Sequence, residues 1–410
     1  MTEKFTVLIP TRERCETLVH TLASVTAQDY DNLDIVVSDN MSADATRDVV
    51  EATRDPRVRY VNTGRRLSMT GNFEFSLGLV GEGFVMHLGD DDALVPGAVS
   101  TVARIAAETG LEAIASSEAM YHWPSALDVA RRGRLVFSTR PEWRIRRSSE
   151  VIQRVIAFEW PYVQLPSTYN SFIHRRVIDR ASRDGRYYHS RTPDSYSGLV
   201  NAAVTERFVT SGPPFAIAGV SGRSNGGAQW APANRAEADL YEAESDLPFH
   251  PEIVFAPSLE LIVAEVFLQA RARLPELQRY ALDMDALSRA ALREATPATW
   301  EAVARAVSET RTRAGLAAML AVLPGRAQSP ALRRAAMAAK VRRRLERLRL
   351  GYQQIDAGAF GVCDINAAGR LARTVGTYVA LGYAKPGAAV RGWKRRRTAL
   401  AERSEPQTRA

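Results

Sequence analysis

Three consecutive aspartates, Asp90, Asp91 and Asp92, follow the apolar segment at residues 84–88. Adjacent carboxylates repel one another unless protons or a cation compensate their charge. A hard divalent cation such as Mg²⁺ or Mn²⁺ is their natural partner, and it commonly also holds substrate phosphates. The other interpretation is a solvated acidic turn that caps the following helix. The triplet therefore predicts either a metal site for a phosphate-bearing substrate or a structural turn.

A second group of residues that can contact a phosphate or a base follows another apolar segment, residues 5–9. Proline restricts the direction of the chain there, and guanidinium groups are common phosphate ligands. A turn of this kind has low specificity when it stands alone. The residues in question are Pro10, Thr11, Arg12 and Arg14.

Asp39 and Asn40 follow a third apolar segment, residues 34–38. The small polar residues after them, including Ser42 and Asp44, are typical of a strand-to-helix turn with an N-cap. This structural interpretation is strong for Ser42 and Asp44. It is weaker for Asp39, because a side chain directly after a strand can point into a crevice that neighbouring strand ends share.

These three clusters require a sheet that brings several strand ends together. Apolar segments with strand character alternate with amphipathic segments of helical period, which indicates βαβ units and a mainly parallel sheet flanked by helices. Ligands of such sheets gather at the carboxyl ends of the strands. The predicted strands are residues 5–9, 34–38, 58–61, 84–88 and 111–116, and the predicted helices include residues 14–28 and 98–108.

The order and spacing of the clusters resemble those of family 2 glycosyltransferases, which have the GT-A fold. The family's first strand ends in Pro-Thr/Ser-Tyr/Arg-Asn/Arg, similar to residues 10–13, although Glu13 departs from that pattern. The second strand typically ends in Asp-Asx-Gly-Ser-x-Asp-x-Thr, similar to residues 39–46, with Met41 where the family usually has glycine. The third motif, Asp-x-Asp or Asp-Asp before an apolar residue, is similar to residues 89–94.

The resemblance implies a nucleotide-sugar donor, usually with uracil as its base, and a role for each cluster. Asp39 would contact the base, Asp91 would lie near the ribose, and Asp92 would coordinate the divalent metal, Mg²⁺ or Mn²⁺, that bridges the diphosphate. The sequence leaves open whether Asp90 takes one of these roles. The other residues expected at the nucleotide-sugar site are Pro10, Thr11, Arg12, Arg14 and Asn40.

A weaker continuation of the resemblance indicates the catalytic base. Residues 169–178 look like the family's strand and short helix behind the donor site, and residues 191–198 look like the segment that carries the base. An inverting transfer needs one carboxylate that accepts the proton of the acceptor hydroxyl. Asp194, which precedes an apolar helix at residues 199–204, is the candidate. A helix-capping aspartate would occupy the same place, and we favour the base over this alternative.

The polar loop at residues 219–227 offers groups that could close over a diphosphate once the donor binds. These groups are its backbone amides and the side chains of Arg223, Ser224 and Asn225. A surface loop without a ligand is the alternative, and the sequence favours neither.

Composition and charge describe a globular protein with one basic segment. The chain has 410 residues, of which 46% are hydrophobic and 24% are charged, and its net charge is +8. Such a composition is ordinary for a globular protein of two to three domains. Nine basic residues and one glutamate fall within residues 326–350, so the excess of positive charge belongs to this segment. An amphipathic helix of this kind docks on the protein body or rests on an anionic membrane.

Three regions are expected along the chain. Residues 1–250 would form the GT-A domain, with a nucleotide-binding half at residues 1–115 and an acceptor and catalytic half at residues 116–250. Residues 251–350 would form a helical region that ends in the basic segment, and residues 351–410 a partly disordered C-terminal tail. The helices predicted in the second region are residues 259–274, 277–295 and 300–323.

Several classes of site and location are disfavoured by the sequence. Cys15 and Cys363 are too few for a disulfide framework or a cysteine zinc site, and the six histidines lack paired metal-ligand spacing. The N-terminus lacks the pattern of a signal peptide, and no apolar run approaches the ~20 residues of a spanning helix. A cytoplasmic location is expected, peripheral at the inner membrane face if the basic segment binds lipid. His87, in the middle of a predicted strand, is expected to be a packed core histidine.

The predicted function is metal-dependent transfer, with inversion, of a sugar from a UDP-sugar to an acceptor hydroxyl by an enzyme of the hexosyltransferase class. The acceptor would be a glycan, a lipid-linked molecule or a small molecule. The Gln-x-x-Arg-Trp motif of processive relatives is absent from the sequence, which favours a single transfer per acceptor.

Three alternatives were weighed against the glycosyltransferase. A sugar nucleotidyltransferase would carry a Gly-rich loop with a basic residue after its first strand, and none occurs. A nucleic-acid-binding or membrane-binding protein would use the basic segment. Nucleic acid is not expected as a partner, because this segment lacks interleaved aromatic residues and the rest of the chain is neutral.

Overall fold

The computed structural model describes residues 2–169, 171–224, 243–316, 337 and 351–381. The strands in these ranges are β1 (Phe5–Thr11), β2 (Leu33–Asp39), β3 (Val58–Asn62), β4 (Phe84–His87), β5 (Ala93–Leu94), β6 (Ala113–Ser116), β7 (Met120–His122), β8 (Arg134–Ser138), β9 (Trp143–Arg147), β10 (Phe172–His174), β11 (Arg207–Ser211), β12 (Ala216–Val220) and β13 (Tyr352–Asp356). The α-helices are α1 (Cys15–Thr26), α2 (Thr46–Ala52), α3 (Met69–Leu77), α4 (Ala98–Thr109), α5 (Ser148–Ile156), α6 (Arg175–Ala181), α7 (Pro193–Ala203), α8 (Leu259–Arg271), α9 (Met284–Glu294), α10 (Trp300–Arg313) and α11 (Ile365–Ala380).

The larger sheet has eight strands in the order β3-β2-β1-β4-β10-β6-β11-β9. The first four strands in this order are parallel, whereas β10 runs antiparallel to both of its neighbours. β1 and β2 are in register over their full length, from Phe5 opposite Leu33 to Thr11 opposite Asp39. Parallel neighbours need crossover connections, which α1, α2 and α3 provide. The carboxyl ends of β1, β2 and β4 therefore meet at one edge of the sheet.

Helices cover both faces of this sheet, which explains why β1 carries buried apolar residues on both of its faces. Phe5, Val7 and Ile9 point to one face and pack in a cluster with apolar residues of α1 and α4. Leu8 points to the other face and packs with apolar residues of α3, α5 and α7. All four side chains are fully buried. Burial of each such side chain contributes about 1.5–3 kcal/mol to folding.

A second sheet has five strands in the order β13-β8-β7-β12-β5. β13 pairs antiparallel with β8, although more than 200 residues separate them. Ile365 and Leu371 of α11 belong to the same buried cluster as Tyr121 of β7 and Phe137 of β8. Residues 351–381, which the sequence assigns to the C-terminal tail, are therefore part of the protein body. β13 is largely polar, so its sequence lacks the apolar alternation that predicts a strand.

The helical region at residues 259–313 is present, with bounds that differ from the predicted ones. α9 begins at Met284 instead of residue 277, because the Asp283 carboxylate caps the helix. Its Oδ1 accepts hydrogen bonds from the amides of Asp285 and Ala286 at 2.8 and 2.9 Å. The preceding residues at 275–277 form a 3₁₀ turn.

The observed architecture confirms the predicted α/β fold class, with a mixed sheet flanked by helices and a helical C-terminal region. Asn225, the basic segment at residues 326–350 and the end of the chain beyond residue 381 lie outside the described residues, apart from Met337. Of the helices within the described ranges, none has the length and apolar character that a membrane crossing requires.

His87 is fully buried in the core, as predicted from its place in β4. Its ring stacks on Phe73 with the centroids 4.6 Å apart, and its two ring nitrogens lie 3.2 Å from Ser76 Oγ and from Tyr188 Oη. Burial lowers the pKa of His87 to about 3. A histidine in the unfolded chain binds its proton near pH 6.5, so the folded protein excludes a proton that the unfolded chain accepts.

We expect His87 to make the protein less stable as the pH falls. Because its pKa is depressed in the folded state, its contribution to stability is complete above about pH 6.5 and is lost as the pH falls towards 3. At about pH 5 the loss amounts to about 2 kcal/mol. Urea unfolding at neutral and acidic pH measures the effect, and His87→Gln should show a smaller difference between the two. An unchanged difference in that variant would assign the pH dependence to other titrating groups, such as the carboxylates whose pKa values the folded state lowers.

Candidate active site

The three predicted polar clusters meet at the carboxyl edge of the larger sheet, where a cavity of about 2020 Å³ opens. Thr11 ends β1 and lies opposite Asp39 at the end of β2, and the aspartate triplet follows β4. Ten of the residues predicted for the site line this cavity. They are Pro10, Thr11, Arg12, Arg14, Asn40, Asp90, Asp91, Asp194, Arg223 and Ser224.

The three consecutive aspartates have different surroundings, and Asp90 is the one that carries an ion pair. Its Oδ1 lies 2.9 Å from Arg14 Nη1, and its Oδ2 accepts a hydrogen bond from Thr11 Oγ1 at 2.8 Å. Burial raises the pKa of Asp90 and the Asp91 carboxylate adds to this, whereas the Arg14 guanidinium lowers it. Asp90 thus connects the first and third predicted clusters.

Asp91 lies at the cavity wall and is held by the loop that follows β12. Its Oδ2 accepts hydrogen bonds from Ser221 Oγ at 2.7 Å and from Ser224 Oγ. Among the described residues, Asp91 forms no ion pair with a basic side chain, in contrast to Asp90. The Asp91 carboxylate therefore has acceptor capacity and negative charge available for a ligand in the cavity.

Asp92 points into the protein instead of the cavity. Its Oδ2 accepts from the amide of Gly89 at 2.9 Å and from Tyr169 Oη at 2.6 Å, and its Oδ1 accepts from the amide of Gly219 at 2.6 Å. The side chain is fully buried. Burial and the Asp91 carboxylate raise the pKa of Asp92 to about 7, against the effect of these hydrogen bonds. The Asp92 carboxylate does not line the cavity, and its expected role as a metal ligand stays a prediction.

The glycine at position 219 is required by the close approach of β12 to the triplet. A Cβ atom there would lie 1.8 Å from the carbonyl oxygen of Asp91 and 2.7 Å from Trp123 Nε1. Trp123 Nε1 itself donates to that carbonyl at 2.9 Å. Any side chain at Gly219 would therefore displace the backbone that orients Asp91 and Asp92.

Asp39 is buried and its carboxylate holds the loop after β2 and the end of β3. Its Oδ1 accepts from the amide of Ser42 at 3.0 Å, and its Oδ2 accepts from Tyr60 Oη at 2.6 Å and Asn62 Nδ2 at 3.3 Å. Asp39 does not line the cavity, whereas its neighbour Asn40 does. The Oδ1 atom of Asp39 accepts one hydrogen bond from the described residues, so the carboxylate retains an acceptor site for a base.

The turn after β2 has the strained conformation that explains the usual glycine of the family at this position. Met41 has φ of 61°, in the left-handed region that favours glycine. The turn is held by Ser42, whose Oγ accepts from the amide of Glu13 at 2.9 Å, and by Asp44, whose Oδ2 accepts from the amide of Cys15 at 2.9 Å. Ser42 and Asp44 thus have the structural role that the sequence favours for them.

A segment that the sequence does not connect with the site contacts its first cluster. Glu244 Oε2 lies 2.7 Å from Arg12 Nη1, and its Oε1 lies 2.9 Å from Arg66. Two residues later Asp246 accepts from Ser68 Oγ at 2.6 Å. Residues 243–248 thus pack beside the cavity, and no motif in the sequence points to this contact.

Asp194 lies in the first turn of α7, where Pro193 is the first residue of the helix. Its Oδ2 accepts a hydrogen bond from Tyr162 Oη at 2.8 Å. Its own carbonyl oxygen accepts from Ser167 Oγ at 2.9 Å and Ser197 Oγ at 3.0 Å, which fixes the backbone. The position before the helix belongs to Thr192, so Asp194 is not the capping residue. Its carboxylate lines the cavity and faces a phenol, which is a suitable place for a base.

The site also contains two tyrosines that the sequence did not predict there. Tyr162 donates to Asp194, and Tyr169 donates to Asp92. Burial, with the neighbouring carboxylates, raises the pKa of each tyrosine well above its ordinary value, so both hydroxyls stay protonated as donors. The run Trp160-Pro161-Tyr162 is a signal in the sequence, since two aromatic residues flank a proline in an irregular region.

Residues 6–157 match the model of a protein family described as Glycosyl transferase family 2. A curated relative, the GalNAc(5)-diNAcBac-PP-undecaprenol beta-1,3-glucosyltransferase of Campylobacter jejuni, is 36% identical over 108 residues. The match covers 26% of this chain and 35% of the relative, so the chain spans about a third of that relative's length. The family predicted from the motifs is confirmed for the N-terminal part of the chain.

Two solved structures are similar to this chain at low identity. TarS 1-349 of S. aureus in complex with UDP-GlcNAc has a TM-score of 0.45 and 16% identity, over 76% of this chain and 90% of that chain. The mannosyltransferase PcManGT from Pyrobaculum calidifontis, in complex with GDP-Man and Mn²⁺, has a TM-score of 0.44 and 16% identity, over 92% of this chain and 88% of that chain.

Proposed function

We propose, from the match of residues 6–157 to the family 2 glycosyltransferase model, that this chain transfers a sugar from a nucleotide-diphosphate donor to an acceptor hydroxyl. The observation that supports the proposal most is a single cavity lined by the carboxylates of Asp91 and Asp194. The first can hold a donor diphosphate through a cation, and the second can accept the proton of an acceptor. A single displacement with inversion needs both functions in one site.

The donor would lie along the carboxyl edge of the larger sheet. The nucleotide would contact the turn after β1, with Pro10, Thr11 and the guanidinium groups of Arg12 and Arg14, and the turn after β2, with Asp39 and Asn40. Asp90 would hold Arg14 and Thr11 in place for the ribose or the phosphates. Arg223 Nη1 donates to the carbonyl of Glu13 at 2.8 Å, which supports a role for residues 221–224 as one wall of the donor site.

Asp91, in place of Asp92, is proposed as the ligand of a divalent metal, Mg²⁺ or Mn²⁺. Its carboxylate lies at the cavity, and Arg14 is the basic partner of its neighbour Asp90. No three His, Cys, Asp or Glu side chains in the described ranges are arranged to hold a metal ion together. A donor set of one carboxylate completed by substrate phosphates and water suits Mg²⁺ and Mn²⁺. When bound, the metal would offset the negative charge that develops on the leaving diphosphate.

The chemical step would form one bond and break one bond at the anomeric carbon. The acceptor oxygen attacks that carbon as its proton passes to a carboxylate oxygen of Asp194. The bond from the anomeric carbon to the diphosphate breaks, and its electron pair leaves with the diphosphate. Tyr162 orients Asp194 through its hydrogen bond to Oδ2. Attack from the face opposite the leaving group inverts the configuration.

Calorimetric titration with UDP, dTDP and CDP, each with and without Mn²⁺, tests the donor site. Uracil and thymine offer an N3–H donor to the Asp39 carboxylate, whereas cytosine has none. A hydrogen bond to a charged group contributes about 1.5–3 kcal/mol, so UDP and dTDP should bind at least about tenfold more tightly than CDP. Mn²⁺ should strengthen the binding of all three. Equal affinities would remove Asp39 from the base site, and no binding under either condition would overturn the proposed function.

The acceptor is proposed to be a glycan, a lipid-linked molecule or a small molecule, glycosylated once per encounter. The Campylobacter jejuni relative is by its name a glucosyltransferase that acts on a PP-undecaprenol-linked glycan, which supports the lipid-linked class. The basic segment at residues 326–350 supports a peripheral contact with an anionic membrane, at ~1 kcal/mol for each Lys or Arg near the surface.

A further inference from the structure

The cavity extends beyond Asp194 to a group of basic side chains that the proposed donor site does not use. β9 forms the edge of the larger sheet and pairs with β11, with Arg144 opposite Thr210 and Arg146 opposite Phe208. Because side chains alternate along a strand, Arg144 and Arg146 share one face of the sheet. Both line the cavity, whereas the next residue on the strand, Arg147, does not.

Trp160 lies against Arg146 and against Arg154 of α5. The guanidinium carbons of Arg146 and Arg154 are each 4.7 Å from the centroid of the Trp160 ring. Trp160 also lines the cavity. Stacking on the indole holds the Arg146 guanidinium in a fixed orientation, which reduces the conformational freedom that a ligand would have to restrict.

Neighbouring acidic side chains in the described part of the chain offset the positive charge of Arg144 and Arg146 only in part. The two nearby acidic residues, Glu150 and Glu159, pair with Arg154 at 3.5 and 3.4 Å. Arg144 and Arg146 form no ion pair with any described residue. Burial lowers the pKa of Arg146, and the positive charge of Arg144 adds to this, whereas the Glu150 carboxylate opposes it. An anion placed between the two guanidinium groups would relieve this repulsion.

The cavity that these arginines share with the proposed base Asp194 indicates which ligand carries the anionic group. Tyr162, which donates to Asp194, follows Trp160 by two residues, so their Cα atoms are at most roughly 7 Å apart. Arg144, Arg146 and Asp194 line the same cavity, so one ligand can contact the guanidinium groups and present a hydroxyl to Asp194. A ligand that presents a hydroxyl to Asp194 would be the acceptor.

We infer that Arg144, Arg146 and Trp160 form a phosphate subsite for the acceptor, so that this chain glycosylates an acceptor that carries a phosphate group near the reacting hydroxyl. The inference rests on the proposed function. Paired guanidinium groups match the geometry of phosphate oxygens and bind them by charge-assisted hydrogen bonds. Charged side chains also protect sheet edges, but that role does not require them to face a cavity or to stack on an indole.

A phosphate group near the reacting hydroxyl could belong to either of two kinds of acceptor. One is a lipid-linked glycan with its diphosphate, and the other is a polyol phosphate with its phosphodiester. Two soluble probes represent them, geranyl diphosphate and glycerol 3-phosphate, with glycerol as the neutral control. Each probe is titrated calorimetrically into the full chain saturated with UDP and Mn²⁺, so that the donor site is already occupied. The test variant is Arg144→Gln/Arg146→Gln, and the matched control is Arg147→Gln on the other face of the same strand.

We expect the unaltered chain and Arg147→Gln to bind a phosphate probe and not glycerol, and the double variant to bind at least about tenfold more weakly. Tighter binding of geranyl diphosphate would indicate a lipid-linked acceptor, and tighter binding of glycerol 3-phosphate a polyol phosphate. If the double variant does not fold, Arg144→Gln alone, which retains the stack of Arg146 on Trp160, should still weaken binding measurably. The inference would be overturned if the double variant, or Arg144→Gln in its place, bound the phosphate probes as tightly as the unaltered chain. It would also be overturned if the unaltered chain bound no phosphate probe at all.

The affinity for UDP separates this inference from the proposed function. It should be the same in the unaltered chain, the double variant and Arg147→Gln, because β9 contributes nothing to the proposed donor site. Loss of UDP binding in the unaltered chain would reject the proposed function itself. UDP binding without phosphate binding would reject the acceptor subsite alone.

Discussion

Replacement of Asp194 by asparagine should reduce transfer to an acceptor by about 10²–10⁴-fold, the usual contribution of a positioned general base. The asparagine retains the shape of the side chain and an oxygen that can accept from Tyr162, but it cannot take up a proton. The backbone at this position is fixed independently of the side chain, because Ser167 and Ser197 both donate to the carbonyl of Asp194. Folding and nucleotide affinity should therefore remain normal.

Three measurements test this prediction on the UDP-sugar that the unaltered chain turns over fastest in a donor panel. They are the rate of transfer per folded molecule, the affinity for UDP, and the anomeric configuration of the product by nuclear magnetic resonance. The matched control is Asp179→Asn, which removes a carboxylate that pairs with Arg175 on α6. Unfolding of the Asp194 variant with transfer per folded molecule intact would reduce Asp194 to a structural residue. A product with retained configuration would reject the single displacement.

Replacement of Asp91 by asparagine should abolish turnover and remove the effect of Mn²⁺ on UDP binding. The physical reason is that the metal contributes several kcal/mol to the stabilisation of a leaving diphosphate, and the Asp91 carboxylate is the proposed protein ligand. The fold should tolerate the change, because an asparagine oxygen can still accept from Ser221 and Ser224. Calorimetry with UDP before and after addition of Mn²⁺, with EDTA as the metal-free reference, measures the loss.

The adjacent variant Asp92→Asn should lose stability but keep the effect of Mn²⁺ on UDP binding. Within the described part of the chain, every hydrogen-bond partner of the Asp92 carboxylate is a donor, namely the amides of Gly89 and Gly219 and the hydroxyl of Tyr169. An asparagine would direct its own NH₂ group at one of them and leave a buried donor unpaired, which costs about 1–3 kcal/mol of stability. The folded fraction should still bind UDP more tightly with Mn²⁺. The reverse pattern, with metal dependence lost in Asp92→Asn and retained in Asp91→Asn, would return the metal to Asp92.

The sequence by itself determined the parallel strands β1 to β4 and the edge of the sheet at which the site lies. Residues 5–9 and 34–38 are continuous apolar segments, and segments of this kind become parallel strands when helices cover both faces of a sheet. The carboxyl ends of such strands meet because the crossover connections are directional. Polar residues directly after each strand, such as Thr11, Asp39 and Asp90, therefore had to come close together. This local logic needs no knowledge of distant contacts.

The tertiary structure alone decided which aspartates of the triplet line the cavity and which one points away from it. Three adjacent carboxylates are equivalent in sequence, and the direction of each depends on the donors that approach it. For Asp92 these donors include Gly219 and Tyr169, which lie 127 and 77 residues further along the chain. The hydrogen bond from Tyr162 to Asp194 and the pairing of β13 with β8 are likewise contacts between distant segments. Periodicity and propensity describe a residue and its near neighbours, so contacts of this range become apparent only once the chain has folded.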